Sequence, residues 1–434
     1  MDDYIRSVVP TDSLFELSAS KPTNYNMRCV ICKGSRMLCG KASCPILMKF
    51  YVKSKTFKLL DSNQIYGSTP PGAFIGRMGY PYVYVGPLVP PITGDTTVLD
   101  TPEMWTNRTM EEIVDFRFKL VRGKHYVKVT DIEKNKIVLL TRELALADAP
   151  TGIEAKFTKK PGGDIVLDDD VQPFGPSAPL EKIDVENYKI DRRIEKAYYD
   201  TDMKAKDAVL ETYRAGVLVS KIQRAFSVGA FGQGKLRKFV PTRWSITAVD
   251  SILGLELLKK TKTFPQIGEY LIFEHKQLDN IWEILMTPTE WCYELIEAWY
   301  PKTVWNPTGN TIAIFSSAEF FEGRKEYAEI GGCYYAARLA VNEKLHEMQR
   351  QAGVVIMREA HPGYIMPVGV WNVREAVRAA LKNPPKKFNT LQEALDYAGS
   401  KLAIPMKRWI KESAVLKYLL LQKRLDEYVR EEKE

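Results

Sequence analysis

The stretch GGCYYAARLAVNEKLHEMQRQAGVVIMREAHPGY, residues 331–364, combines two different spacings of apolar residues. Its first half, from about Tyr334 to Arg350, has the spacing of an amphipathic helix. Its second half contains AGVVIMREA, a short apolar run of the kind that forms a buried strand. A further strand precedes this stretch, and another helix follows it. The alternation predicts a mixed α/β fold.

The length of the chain sets its organisation. With 434 residues, two or three domains are expected, because a single core rarely serves so long a chain. The turn NPTGNT begins at residue 306 and predicts a boundary that divides the chain into residues 1–305, 306–421 and 422–434. No run of about 18 apolar residues occurs, and the first residues lack the pattern of a secretory signal. We therefore expect a cytoplasmic protein that does not enter a membrane.

Four of the six cysteines lie close together, in CVICKGSRMLCGKASC. In a cytoplasmic chain, such density indicates a metal site rather than disulfides. Four sulfur ligands predict a structural zinc site, and an iron–sulfur cluster is the alternative. The predicted ligands are Cys29, Cys32, Cys39 and Cys44, in a zinc finger at about residues 28–48. Metal analysis of the purified protein should find about one zinc per chain, and iron or a brown colour would contradict this prediction.

The positive charge of the chain is concentrated near the same cysteines. The formal net charge is +8, and the stretch 28–60 contains eight lysines and arginines but no aspartate or glutamate. Such a cluster is typical of a protein that binds a polyanion, usually nucleic acid. A solvated lysine-rich face would have the same composition, and some of these cations would offset the charge of metal-bound thiolates.

Two glycine-rich stretches are candidate phosphate sites. Residues 66–91, YGSTPPGAFIGRMGYPYVYVGPLVPP, have Arg77 as their one ionised side chain, and such a loop either cradles a phosphate or is a packed connection. Residues 227–251 place three glycines before a group of cations and Trp244, which favours contact with nucleic-acid phosphates and bases. These cations are Lys235, Arg237, Lys238 and Arg243. The second stretch lacks the GxxxxGK[ST] pattern of nucleotide hydrolases.

Three helical patterns complete the outline. Residues 189–214 predict one long amphipathic helix, and Thr390 with Glu393 forms the sequence of a capping box. Residues 404–421, IPMKRWIKESAVLKYLLL, predict a packing helix in a helical C-terminal tail.

Several ionisable residues of the C-terminal part are candidates for chemistry. REAHPGY places Arg358, Glu359 and His361 at a strand end, which is a common position for functional groups in α/β proteins. Arg358 is a candidate phosphate contact, and Glu319 and Glu329 are further candidate acids or bases. No Ser-His-Asp order, HExxH or DxD pattern accompanies them, so a structural ion-pair cluster is the alternative.

Five motifs behind the cysteine-rich segment resemble the archaeal Nre DNA repair proteins, and the match runs over nearly the whole chain. These motifs are STPPGAFIGRMGYPYVYVGPL, PFGPSAPL, RKFVPTRWSITAVD, GGCYYAARLAVNEKL and MREAHPGYIMPVGVWNVRE. The resemblance implies an Nre N-terminal domain with a zinc finger (1–305), an Nre C-terminal domain (306–421), and a role in repairing DNA damage. It also implies a terminal motif that docks on the sliding clamp PCNA, but no established reaction.

The segment QKRLDEYV, residues 422–429, is the clamp motif that the resemblance implies. Such a motif needs a glutamine, an aliphatic residue three positions later, and two bulky residues at its end, which enter a hydrophobic pocket. The matching residues are Gln422, Leu425, Tyr428 and Val429, although an aromatic residue is usual at the position of Val429. From spacing alone, the end of a charged helix is the alternative.

Two classes of function remain open from the sequence. The first is a DNA-binding repair factor that PCNA delivers to DNA. The second is an enzyme acting on nucleotides or DNA, such as a nuclease or a nucleotidyl- or ADP-ribosyl-type transferase, with residues 227–251 holding phosphates. Arg243, Ser316, Ser317 and Glu319 faintly resemble the arginine, serine and glutamate elements of ADP-ribosyl transferases. The sequence assigns no catalytic residue.

Overall fold

The computed structural model describes residues 32, 38, 44–60, 62–162, 174–307 and 309–421. They belong to two compact units, one drawn from residues 1–255 and 365–375 and the other from residues 256–364 and 376–434. Each unit contains one six-stranded sheet in the described part of the chain, which confirms the predicted mixed α/β class. The predicted boundary between residues 305 and 306 rests on the sequence alone, and it stays a prediction.

The first unit contains an almost entirely antiparallel sheet of order β1-β5-β6-β4-β3-β2, in which β4 and β6 run parallel. Its strands are β1 (Gln64–Thr69), β2 (Ala73–Ile75), β3 (Tyr82–Val89), β4 (Val121–Lys128), β5 (Thr151–Phe157) and β6 (Ser177–Val185). Among the residues that the structure describes, this unit contains the start of the α-helices Pro45–Lys58, Met110–Lys119, Lys136–Leu146, Arg192–Tyr199, Ala205–Arg214, Val219–Ser227, Thr242–Thr261 and Trp371–Lys382.

Strand alternation gives the first half of β3 one buried and one accessible side. Val83, Val85 and Val127 are almost completely buried, and helix Lys136–Leu146 packs near β2, β3 and β6. The intervening side chains of β3, Tyr82 and Tyr84, are exposed. Successive residues of a strand point to opposite faces, so the sequence YVYV itself produces this division.

The second unit contains a sheet of order β10-β9-β11-β8-β7-β12, in which β9 and β11 run parallel. Its strands are β7 (Tyr270–Gln277), β8 (Asn280–Thr287), β9 (Cys292–Trp299), β10 (Ala313–Glu319), β11 (Gly353–Ala360) and β12 (Lys386–Phe388). Within the described residues up to 421, the α-helices that lie wholly in this unit are Gly332–Met348, Leu391–Lys401, Met406–Glu412 and Ala414–Leu421. The predicted helix from about Tyr334 and the strand that follows it are therefore present.

The predicted packing helix over residues 404–421 is two helices that meet at Ser413. Glu294, buried on β9, accepts hydrogen bonds from the Ser413 hydroxyl (2.5 Å) and from the backbone N–H groups of Ala414 (3.0 Å) and Val415 (2.9 Å). A carboxylate at a helix N-terminus satisfies donors that lack partners within the helix. Glu294 therefore begins a new helix where the apolar spacing alone predicts a continuous one.

The prediction of one helix over residues 189–214 is wrong, because two helices form with a break after Tyr199. The Asp200 carboxylate accepts hydrogen bonds from the N–H groups of Asp202 (3.0 Å) and Met203 (2.9 Å), and its carbonyl accepts one from Arg237 (2.6 Å). These contacts compete with continuation of the helix. The capping box of Thr390 and Glu393 is confirmed.

Among the residues described above, no helix is both long enough and apolar enough to cross a bilayer.

Candidate nucleic-acid interface

The fold brings together the two glycine-rich stretches that the sequence analysis treated separately. The backbone N–H of Ile75 donates to the Thr242 hydroxyl at 3.1 Å, although 167 positions separate them in sequence. The rings of Tyr80 and Trp244 also meet, with centroids 5.2 Å apart and planes inclined by 54°. The turn before β3 and the start of helix Thr242–Thr261 therefore form one surface of the first unit.

Two arginines share this surface. Arg243 is exposed and Arg77 is half-buried. Burial lowers the pKa of the Arg77 guanidinium, and the positive charge of Arg243 lowers it further. Among the residues whose positions the structure gives, no carboxylate forms an ion pair with Arg243. The N-terminus of a helix adds partial positive charge at the same place, so the arrangement favours an anion.

The glycines of residues 227–251 have a packing role. At Gly229, φ is +67°, and a Cβ atom there would lie 2.7 Å from the carbonyl oxygen of Lys238. At Gly232, φ is +109°, and its carbonyl accepts a hydrogen bond from Arg237 at 2.7 Å. Gly229 and Gly232 therefore let the loop fold tightly on itself.

The other cations of residues 227–251 differ in how far they are buried. Arg237 is buried and donates to the carbonyls of Tyr198 (2.6 Å) and Ala197 (3.4 Å), in addition to those of Gly232 and Asp200. Its guanidinium thus holds the loop together and does not face solvent. Lys235 is exposed and Lys238 is half-buried, so these two lysines remain the accessible candidates for phosphate contact.

Arg358 lies in the interior of the second unit. It donates to Glu297 at 2.7 Å and to Asn280 at 2.9 Å, and it is 2% exposed. Its guanidinium lies 4.8 Å from the ring centroids of both Trp282 and Trp299. In this arrangement Arg358 has no access to a phosphate, and its partners correspond to the structural ion-pair alternative.

The candidate acids and bases of the second unit are also engaged with protein groups. Glu359 is fully buried and accepts hydrogen bonds from His361 (2.9 Å) and from the backbone N–H groups of Ala403 (3.1 Å) and Ile404 (2.8 Å). These bonds tie β11 to the segment after helix Leu391–Lys401. They give Glu359 and His361 a structural function.

The two other candidate glutamates form ion pairs. Glu319 is buried, pairs with Arg338 at 2.9 Å and accepts a hydrogen bond from the Trp291 indole at 3.1 Å. Glu329 accepts hydrogen bonds from the Ser317 hydroxyl (2.6 Å) and Arg324 (2.9 Å). Although burial opposes it, these bonds lower the pKa of the Glu329 carboxyl. The buried Glu319 therefore serves the fold of the second unit, whereas Glu329, with a side chain that is 65% exposed, forms an ion pair at its surface.

The predicted zinc and clamp sites fall largely outside the described residues. Cys32 is buried and Cys44 is half-buried, whereas Cys29, Cys39 and the whole segment 422–429 lie outside. The part of the chain with assigned positions contains no group of three or more residues able to hold a metal ion. Because only two of the four predicted thiols belong to that part, the zinc site stays a prediction.

A row of tyrosines on the same sheet was not singled out in the sequence. Tyr84 on β3 lies directly opposite Tyr126 on β4, with ring centroids 5.1 Å apart, and the rings of Tyr82 and Tyr126 are 6.0 Å apart and nearly parallel. The alternation YPYVYV in the sequence could have predicted this row, because tyrosines separated by single valines in a strand share one face.

Comparison with known proteins places the chain in a family. The family profile described as Archaeal Nre, N-terminal, matches residues 38–306, and the profile Archaeal Nre, C-terminal, matches residues 319–428. No solved structure matches the chain.

Three curated relatives extend this comparison over most of the chain. The DNA repair protein NreB of Archaeoglobus fulgidus is 38% identical over 392 residues, which cover 90% of this chain and 97% of the relative. The DNA repair protein NreA of the same organism is 38% identical over 386 residues, or 88% and 95% of the two chains. The DNA repair protein NreA of Haloferax volcanii is 33% identical over 348 residues, or 77% and 82%. These matches show that the chain belongs to the archaeal Nre family.

Proposed function

We propose that this protein is a DNA repair factor that contacts DNA phosphates through Arg77 and Arg243 and that the sliding clamp PCNA brings to DNA. The observation that carries the DNA contact is the convergence of these two arginines with Tyr80 and Trp244 on one surface. The relatives named as DNA repair proteins support the biological role.

Two further parts of this proposal rest on sequence. The cysteines at positions 29, 32, 39 and 44 would hold a structural zinc ion that stabilises the basic N-terminal segment. The segment beginning at Gln422 would bind the clamp. Neither part supplies chemistry at the arginine surface, where we propose binding alone.

The DNA contact predicts a change in salt dependence. The double substitution Arg77→Gln/Arg243→Gln should weaken DNA binding about tenfold or more at low salt. It should also reduce the slope of log affinity against log salt concentration by about one to two units in magnitude, because DNA binding releases about one counterion fewer for each phosphate contact that is lost. Fluorescence anisotropy with labelled DNA at several salt concentrations measures both quantities.

A matched control is Arg192→Gln, which removes an exposed arginine from the first turn of helix Arg192–Tyr199 in the same unit. This variant should retain the wild-type slope. A double variant of the arginine pair that also retains that slope, while folding normally by circular dichroism, would contradict the proposed contact.

A further inference from the structure

We propose that the exposed face of β3 and β4 is a stacking platform for the bases of single-stranded DNA, with Tyr82, Tyr84 and Tyr126 as its contact residues. The proposal rests on the DNA-binding function proposed above and names the form of DNA that this surface takes.

The three tyrosine side chains remain accessible although they adjoin each other. Tyr82 is 47% exposed, Tyr84 is 44% exposed and Tyr126 is 56% exposed. The rings of Tyr82 and Tyr126 are inclined by only 23°. Three accessible aromatic rings therefore adjoin one another on one strand pair, which is the arrangement that base stacking needs.

The charges around the rings select the partner. Lys128 lies opposite Tyr82 in the strand register, and the Lys124 ammonium is 5.8 Å from the ring centroid of Tyr84. The strands β2, β3 and β4 contain no aspartate or glutamate. An aromatic surface on acid-free strands with two lysines beside it complements a polyanion with exposed bases.

The platform is continuous with the phosphate surface. Tyr80, which contacts Trp244, lies two residues before Tyr82. The backbone N–H of Gly76, next to Arg77, donates to the carbonyl of Tyr84 at 2.8 Å. A strand of DNA whose bases lie on the tyrosines can therefore place its backbone towards Arg77 and Arg243.

The geometry also favours single strands over duplexes. Bases stack on aromatic side chains only where their faces are free, and in a duplex neighbouring base pairs cover those faces. Sheet surfaces that present aromatic residues bind unpaired nucleotides in this way. A flat sheet face has no helix or ribbon to insert into a major groove.

The experiment compares labelled oligo(dT) with a duplex of the same length, using the full-length chain and its Tyr84→Ala/Tyr126→Ala variant. The affinity for oligo(dT) should fall about tenfold to a hundredfold, because alanine removes the stacking of one or two bases. Affinity for the duplex should change by less than about twofold, and the salt slope for oligo(dT) should keep its wild-type value, since no phosphate contact is lost.

Two control variants separate stacking from other effects. Tyr84→Phe/Tyr126→Phe keeps the aromatic rings and should bind oligo(dT) like the wild type. Tyr199→Ala removes a 66% exposed tyrosine elsewhere in the first unit and should also have no effect. Thermal unfolding of each variant verifies that the fold is retained.

The outcomes distinguish this inference from the proposed function. If the alanine variant binds oligo(dT) like the wild type while the Arg77/Arg243 variant does not, the platform is wrong and the phosphate contact stands. An equal loss for oligo(dT) and duplex also overturns the platform. If the wild-type protein binds neither DNA, the DNA-binding function itself fails.

Discussion

The substitution Arg358→Met is expected to lower the free energy of unfolding by about 3–5 kcal/mol, because it leaves the buried carboxylate of Glu297 without its cation. Glu297 is 3% exposed. Methionine retains much of the length of arginine, so packing between Trp282 and Trp299 is largely preserved. Chemical denaturation monitored by tryptophan fluorescence measures the change.

Two comparisons identify the uncompensated charge as the cause. Arg108→Met breaks the ion pair between Arg108 and Glu112, two side chains that are 46% and 40% exposed. This substitution should lower the free energy of unfolding by less than about 1 kcal/mol. The double variant Arg358→Met/Glu297→Leu removes both charges and should recover much of the stability that the single variant loses. A loss below about 1 kcal/mol for Arg358→Met would show that Arg358 is not needed for the fold.

Deletion of residues 422–434 is expected to abolish binding to the sliding clamp and to leave the fold intact. The deletion removes Gln422, Leu425 and Tyr428, which are the proposed pocket-filling residues. The last described helix, Ala414–Leu421, retains its contacts with Glu294 and its buried residues Val415 and Leu416. Isothermal titration calorimetry with PCNA from the same organism tests the loss.

Point variants at full length refine this test. Tyr428→Ala should weaken clamp binding without shortening the chain, whereas Val429→Phe should strengthen it by placing an aromatic ring in the hydrophobic pocket. If the truncated protein binds the clamp with wild-type affinity, the clamp binds another part of the chain and the proposed motif is wrong.

The sequence predicts the fold class because local spacing and local capping determine most elements. The helix from about Tyr334 and the capping box at Thr390 depend on residues within a few positions of each other. The break at Ser413 depends on Glu294, which is 119 positions away. The break after Tyr199 depends partly on Arg237. Spacing along the chain does not contain such long-range hydrogen bonds, so both helices were predicted too long.

For the candidate site, too, the sequence contains the local signals but not the long-range contacts. The charge and glycine content of residues 66–91 and 227–251 predicts two separate phosphate sites, and only the fold shows that Ile75 reaches Thr242. Arg237 and Arg358 looked equivalent to Arg243 in the sequence, since a sequence shows charge and not burial. The structure separates them, because buried arginines stabilise the interior through carbonyl and carboxylate partners, whereas an exposed one is available to a ligand.

If the segment beginning at Gln422 binds the clamp as proposed, the anchoring of the last described helix by Glu294 would limit how freely the clamp can move relative to the second unit. Gln422 follows Leu421 directly, and consecutive Cα atoms are about 3.8 Å apart, so no flexible linker precedes the proposed motif. A long flexible linker would let the protein search a wide volume while it is bound to the clamp. Here docking would instead fix the second unit beside the clamp in a narrow range of orientations. The clamp would then align the second unit as well as tether it.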